Sequence, residues 1–277
     1  MIKIICDTMS DIPKEIIAKY NLDIVPTTAI FNGVEYKDGV DITPEEFYLL
    51  MRKSHELPKT SQATYSQFKE VFDKYVNEYD EILYIGGSSA ASGTYQSAVM
   101  ASNDTEGKAK IFTFDTYNFS AGGAVFIIKA CQLLDEGKKS EEIIKILEGL
   151  KGTQRVYLSV DTLEYLYKGG RISGAKAKLG SLLKIKPILS LEEGIIVPKS
   201  QVRGEKQMIS TIFNKATEGI DDIENRIIVY GCGDNLGQGE MIKQKILATN
   251  CKHAYEVKAG ACITAHSGPA IVGMAIL

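Results

Sequence analysis

The chain has no excess of positive charge, no apolar run long enough to cross a bilayer and no closely spaced pair of cysteines, and each absence removes a class of function. Thirty-two Lys and Arg stand against 35 Asp and Glu, a net charge of −3, and no basic cluster is interleaved with aromatics, so there is no electrostatic footprint for nucleic acid. No stretch approaches the ~20 apolar residues of a spanning helix. The N-terminus, Met1 to Asp7, meets an aspartate before the apolar region of a signal peptide could form. The expectations are therefore no transmembrane segment and a cytoplasmic protein. Five scattered cysteines (Cys6, Cys131, Cys232, Cys251, Cys262) without a Cys-x-x-Cys pair indicate neither a disulfide framework nor a zinc site. Most read as small core residues. Cys6, at the end of a strand, is the one that could serve as a nucleophile, but no histidine lies near it in sequence.

What is present is an alternation of strand-like and helix-like segments across 277 residues, 44% of them hydrophobic. That alternation predicts an α/β protein with a mainly parallel sheet. Ile2 to Cys6, Leu22 to Ile30, Glu81 to Ile85 and Ile111 to Phe114 read as strands, with Asn32-Gly33 as a hairpin turn. Thr43-Pro44-Glu45-Glu46 starts a helix by N-cap, N1 proline and capping box together, and Thr64 with Gln67 repeats the capping pattern for a helix to about Tyr79. Ser120 to Gly123 reads as a small-residue turn before a long apolar helix, and Ser140 to Leu150 as a further helix. A polar connection at Gly152-Thr153-Gln154 divides the chain into an N-terminal unit, 1–152, and a C-terminal unit, 153–277. The second unit opens with the strand Arg155 to Ser159 and a short helix, Leu163 to Lys168, stopped by Gly169-Gly170 in a left-handed conformation. Ser181 to Lys186 then leads into a hairpin about Glu192-Glu193-Gly194. Strands at Arg226 to Tyr230 and His253 to Val257 bracket a helix around Gly239 to Thr249, and Ile271 to Ile276 is the last segment.

The segment from Gly86 to Gly93 follows a strand and precedes a helix, and it has almost no side-chain bulk. Its backbone N–H groups and the Ser92 and Thr94 hydroxyls can approach an anion closely. The Walker lysine and spacing are missing, so the donors are mostly neutral and suit a carboxylate better than a triphosphate. The same residues also suffice for a plain tight turn. Two other readings stand beside it. Gly231-Cys232-Gly233 before a helix resembles a loose dinucleotide loop with its third glycine displaced, and Ser92 with His266 could form a serine hydrolase acting on a small ester.

Five ordered motifs carry a resemblance: Lys59-Thr60-Ser61-Gln62, Ser92-Gly93-Thr94-Tyr95-Gln96-Ser97-Ala98, Leu166-Tyr167-Lys168-Gly169-Gly170-Arg171-Ile172, Lys184-Ile185-Lys186-Pro187-Ile188 and Ala265-His266-Ser267-Gly268-Pro269. Spread over nearly the whole chain, they resemble the successive motifs of the DegV family, the fatty-acid-binding subunits of bacterial fatty acid kinase. The resemblance implies an N-terminal α/β/α domain with a mainly parallel sheet, a C-terminal α/β domain with a mixed sheet, and one long-chain fatty acid between them. It implies no chemistry and no cofactor in this chain itself. A separate ATP-dependent kinase subunit would phosphorylate the acid, and the acyl phosphate would pass to phospholipid synthesis.

By the same resemblance, Thr60, Ser61, Ser92, Gly93 and His266 surround the carboxylate, His266 directly or through water. Read alone, His266 lies in a Gly/Pro loop and is as easily a structural residue. Arg171 and Arg203 match positions for kinase docking or phosphoryl transfer, and both are expected to reach outward from element ends. Ala270 departs from the family's usual glycine beside His266. Burying about sixteen methylenes at ~0.8 kcal/mol each gives a gross driving force of order 12 kcal/mol, so few polar contacts are required of the site.

Overall fold

A computed structural model describes residues 1–54, 56–172 and 185–277. Of the expected Ser181 to Lys186 segment and the Lys184 to Ile188 motif, residues 181–184 lie outside the described residues. In chain order the elements are β1 (Ile2–Asp7), α1 (Lys14–Tyr20), β2 (Asp23–Val25), β3 (Thr28–Phe31), β4 (Val34–Lys37), α2 (Pro44–Lys53), β5 (Lys59–Ser61), α3 (Tyr65–Tyr75), β6 (Glu81–Gly86) and α4 (Thr94–Asn103). They continue with β7 (Lys110–Asp115), α5 (Ala121–Asp135), α6 (Ser140–Leu150), β8 (Arg155–Ser159), α7 (Glu164–Lys168), β9 (Ile185–Glu192) and β10 (Ile195–Arg203). The chain closes with α8 (Glu205–Thr217), β11 (Ile227–Cys232), α9 (Leu236–Leu247), β12 (His253–Lys258), α10 (Ala261–Ser267) and β13 (Val272–Ile276).

The first sheet, ordered β2-β1-β6-β7, is parallel throughout. Its strands are buried on both faces because each alternates between two cores. Ile4, Cys6, Leu83 and Ile85 face the helices α1, α5 and α6, whereas Ile5, Ile82 and Tyr84 face α3 and α4. The second sheet, β10-β9-β8-β13-β11-β12, is mixed: β11 and β12 are parallel and the other pairs antiparallel. One of its faces packs on α8 and α9. The other shares a core with α5, which buries 11 of its 15 residues; a helix that is apolar all round needs cover on every side, and the two sheets supply it.

A small antiparallel sheet, β4-β3-β5, completes the structure, and α10 from the far end of the chain packs on it, Ala261 and Ala265 joining Ala29 and Phe31 of β3 and Phe47 of α2 in one core. This sheet corrects the expectation of one strand over Leu22 to Ile30. Pro26, which lacks an N–H for a ladder, interrupts the run, so β2 joins the parallel sheet and β3 turns into the small one. The Asn32-Gly33 turn is formed as expected, both residues having positive φ, and both capping boxes are present. Ser120 alone makes the turn before α5, since Ala121, Gly122 and Gly123 already belong to the helix. At the end of α7 only Gly170 is left-handed; Gly169 is helical.

Candidate functional site

Between the second sheet, α10, β5 and the start of α5 lies a cavity of about 430 Å³, within the range of small-molecule pockets. Thr60, Ser61, Ser92, Gly93, Arg171 and His266 all line it, although they come from four separate segments of the chain. Arg203, at the exposed end of β10, does not.

The best-fixed contact in the polar end is between Thr60 Oγ1 and His266 Nε2, 2.8 Å apart across 206 residues. It exists because α10 docks on β5. This corrects the reading of residues 265–269 as a loop: His266 sits in the last turn of α10, and only Gly268, with φ of +80°, begins the loop. His266 Nδ1 is buried, with no partner among the described residues, against Gly169, where a Cβ would lie 2.4 Å from it. Burial, and then the nearby Arg171 charge, lower the imidazole pKa to about 4. The ring is neutral near pH 7, so each nitrogen is a donor or an acceptor according to the tautomer, with no positive charge.

Ser92 Oγ lies 3.0 Å from Thr94 Oγ1 and accepts from Thr94 N–H at 3.2 Å, so it braces the turn into α4 while lining the cavity. His266 is engaged by Thr60 and Ser92 by Thr94, so the nucleophile–base pair of a serine hydrolase is not assembled. The loop amides are less available than the sequence suggests. Gly87 N–H donates to Asp7, Ser89 N–H to Asp115, and Ser88, Ala90, Ala91 and Ser92 N–H to acceptors within the protein. Gly93 N–H is the loop amide for which no acceptor is found among the described residues. A Cβ at Gly93 would lie 2.1 Å from Gln62 Oε1, so any larger residue there would have to displace the end of the Gln62 side chain.

Arg171 is half-buried, in contrast to the outward reach expected of it. Its Nε donates to Ala91 O at 3.3 Å and its Nη1 to Gly169 O at 2.5 Å, which holds the guanidinium against the loop that carries Ser92. The polar end thus combines one cation, three hydroxyls, one free amide and a neutral imidazole. Such a set matches a single carboxylate: several donors and one compensating charge.

The apolar floor was not legible as such in the sequence. On the cavity side of the second sheet, Leu158, Gly273, Gly231 and Val257 pair in register across four neighbouring strands, and all four line the cavity. Two of the four are glycines, closely flanked by Val257 and Leu158, so backbone as well as side chain forms the wall there. The signal that could have found it is a glycine inside an otherwise apolar strand, Val272-Gly273-Met274, which weakens a strand unless something must come close. Gly231 and Gly233 also bear on the nucleotide reading. A Cβ at either would lie within 2.1 Å of a backbone carbonyl oxygen, of Val257 and Pro269 respectively, so this chain itself fills the space a phosphate would need. Cys6 is fully buried and its thiol pKa is raised by burial, which disfavours the nucleophilic thiolate. Ala270 is buried but does not line the cavity. Among the described residues no cluster of three metal-ligating side chains is found, and no helix is long and apolar enough to cross a membrane.

Comparison with known proteins places this geometry. The family model described as "Uncharacterised protein, DegV family" matches residues 1–277. A DegV domain-containing protein of Caldanaerobacter subterraneus is 35% identical over 274 residues, covering 99% of this chain and 97% of that protein. Among solved structures, a DegV family protein from Thermus thermophilus, described by its fatty acid binding, superposes with a TM-score of 0.89 at 31% identity, covering 99% of this chain and 98% of that one. DegV of Bacillus subtilis, described as a fatty acid binding protein, gives a TM-score of 0.89 at 30% identity, with 99% and 98% covered. With a match along its entire length and relatives of this similarity, the chain belongs to the DegV family.

Proposed function

We propose that this protein binds one long-chain fatty acid in the cavity and presents its carboxylate to an ATP-dependent kinase subunit, which forms the acyl phosphate for phospholipid synthesis. The observation that carries the binding half is the cavity itself: a largely apolar lining with one polar end where Thr60, Ser61, Ser92, Gly93, Arg171 and His266 converge. A fatty acid has this division of chemistry, and family members of similar structure are described as fatty acid binding proteins. In this reading Thr60, Ser61 and Ser92 donate hydroxyls, Gly93 donates its free N–H, and His266 is oriented by Thr60. Arg171 neutralises the carboxylate from one side, and Arg203, exposed and away from the cavity, meets the partner.

The partnership rests on the motif resemblance and on the separation of the two arginines. The protein then needs no cofactor of its own, and ATP belongs to the partner, which is consistent with a cytoplasmic setting. We also propose two units, 1–152 and 153–277, with the ligand between them, because the strands of the parallel sheet precede the boundary and those of the mixed sheet follow it.

Native mass spectrometry of protein purified from cells, followed by organic extraction, tests the binding half. The expected result is one fatty acid per chain; an unloaded protein that takes up no added oleate or palmitate refutes it. Acyl phosphate formation with the purified kinase subunit and ATP tests the second half, which fails if loaded protein supports none.

A further inference from the structure

Helix α10 carries Cys262, Ile263, His266 and Ser267 into the cavity, and its N-terminus rests on two aspartates from distant loops. Asp11 Oδ1 accepts from Gly260 N–H at 2.8 Å, while Asp38 accepts from Ala261 N–H at 3.0 Å and from Cys262 N–H at 2.9 Å. Both carboxyls are buried, and both converge on one point: a Cβ at Gly260 would lie 3.1 Å from each. The second oxygen of Asp11 accepts from Ser120 Oγ. Ser120 is itself a cavity residue, held at φ 51° and ψ −134°, a conformation costly for any residue but glycine. One carboxyl therefore ties a strained wall of the cavity to the helix that bears His266.

We propose that Asp11 is a positioning residue for the ligand site, a proton-sensitive latch that holds α10 and Ser120 closed over the cavity and loosens when it becomes fully ionised beside Asp38. The proposal rests on the fatty-acid reading only for what the cavity holds; the latch itself is a property of the unloaded chain.

The groups facing Asp11 are Asp38 from the turn before α2, Tyr48 from α2, Cys262 from α10 and Ser120 from the loop before α5, with Asp7 acting on the same Cys262 from the end of β1. None of these is a cation. Burial, with a smaller contribution from the Asp38 charge, raises the Asp11 pKa to about 7 against the lowering effect of its bonds to Ser120 and Gly260; burial raises Asp38 as well. In an opened state Asp11 meets water and regains an ordinary carboxyl pKa. The closed state thus binds the extra proton, is favoured below pH 7, and loses that advantage as pH rises through about 7. Either protonation state keeps the link to Ser120, since a hydroxyl donates or accepts; what changes is the repulsion between two charged carboxylates at one helix end.

The test uses the full chain stripped of lipid. Hydrogen exchange of the α10 amides, corrected for intrinsic rates, and release of cis-parinaric acid to excess albumin are followed from about pH 5.5 to about pH 8.5. Below the midpoint near pH 7 the opening constant should rise by up to about tenfold per pH unit, the limit for one proton, and it should level off above it. D11N should flatten both profiles, and D38N should move the midpoint down by removing the neighbouring charge. Protection in α10 that does not change with pH in the native chain overturns the latch, as does a D11N profile like the native one. Should D11N fail to fold, an unmoved midpoint in D38N overturns it equally. Absence of cis-parinaric acid binding at every pH, with the exchange profile as expected, would refute the fatty-acid reading and leave the latch standing.

Discussion

Acid should weaken this protein specifically through His266. In the folded chain the ring has a pKa of about 4, because burial and then the Arg171 charge penalise its protonation; in the unfolded chain it regains its ordinary value of 6.5. Between these two values the unfolded state binds more protons, so stability rises with pH across that window and is lost as pH falls through it. The gap of about 2.5 pH units, at about 1.4 kcal/mol per unit, amounts to about 3 kcal/mol at most. Asp11 acts in the opposite sense: its pKa, raised to about 7, makes a contribution that is present in acid and lost as pH rises through about 7. The raw pH profile mixes the two. Urea unfolding of the native protein and of H266Q, measured in parallel from about pH 4 to about pH 7, isolates the histidine, because Asp11 and the surface carboxylates cancel in the difference. The stability difference between native and variant should grow in favour of the native protein by up to about 3 kcal/mol over that range. The chain has three histidines, so the His266 ring signal is readily assigned by NMR and should titrate near pH 4. A flat difference, or a ring that titrates at 6.5, would refute the reasoning.

Three further outcomes are expected. T60V, which keeps the shape and removes the hydroxyl that holds His266, should weaken fatty acid retention by about 1.5–3 kcal/mol, roughly ten- to a hundredfold or more, while T60S restores it; equal exchange rates for T60V and the native chain remove Thr60 from the site. S92A should both speed fatty acid exchange and cost about 1 kcal/mol of stability, because Ser92 Oγ also accepts from Thr94 N–H at the start of α4, and an unchanged unfolding midpoint would show that this bond contributes nothing. R203A should copurify with normal lipid and lose acyl phosphate formation when the kinase subunit is limiting, whereas R171A should also retain less lipid and raise the His266 pKa; loss of lipid from R203A alone would reverse these roles.

Local order was written in local chemistry. The capping boxes at Thr43 and Thr64, the Asn32-Gly33 turn and the apolar run of α5 need only neighbours a few residues away, and short-range rules are enough to read them. The motifs around Thr60, Ser92, Arg171 and His266 likewise named the residues that line the cavity. Their arrangement was beyond such rules. That Thr60 meets His266 depends on α10 packing against β5 across 206 residues, and α10 itself, short and poor in strong helix formers apart from alanine, is stabilised by that packing and by Asp11 and Asp38 at its N-terminus. Whether Arg171 points to solvent or to Ala91, which loop amides are already taken by Asp7 and Asp115, and that Gly231 and Gly273 fall side by side in the cavity wall are all consequences of register and docking. Sequence determined which segments are helix or strand and which residues carry the polar chemistry. Tertiary structure decided which of them share a cavity, because a side chain's partners across a fold are set by the packing of whole elements, in which no single residue's own preferences are decisive.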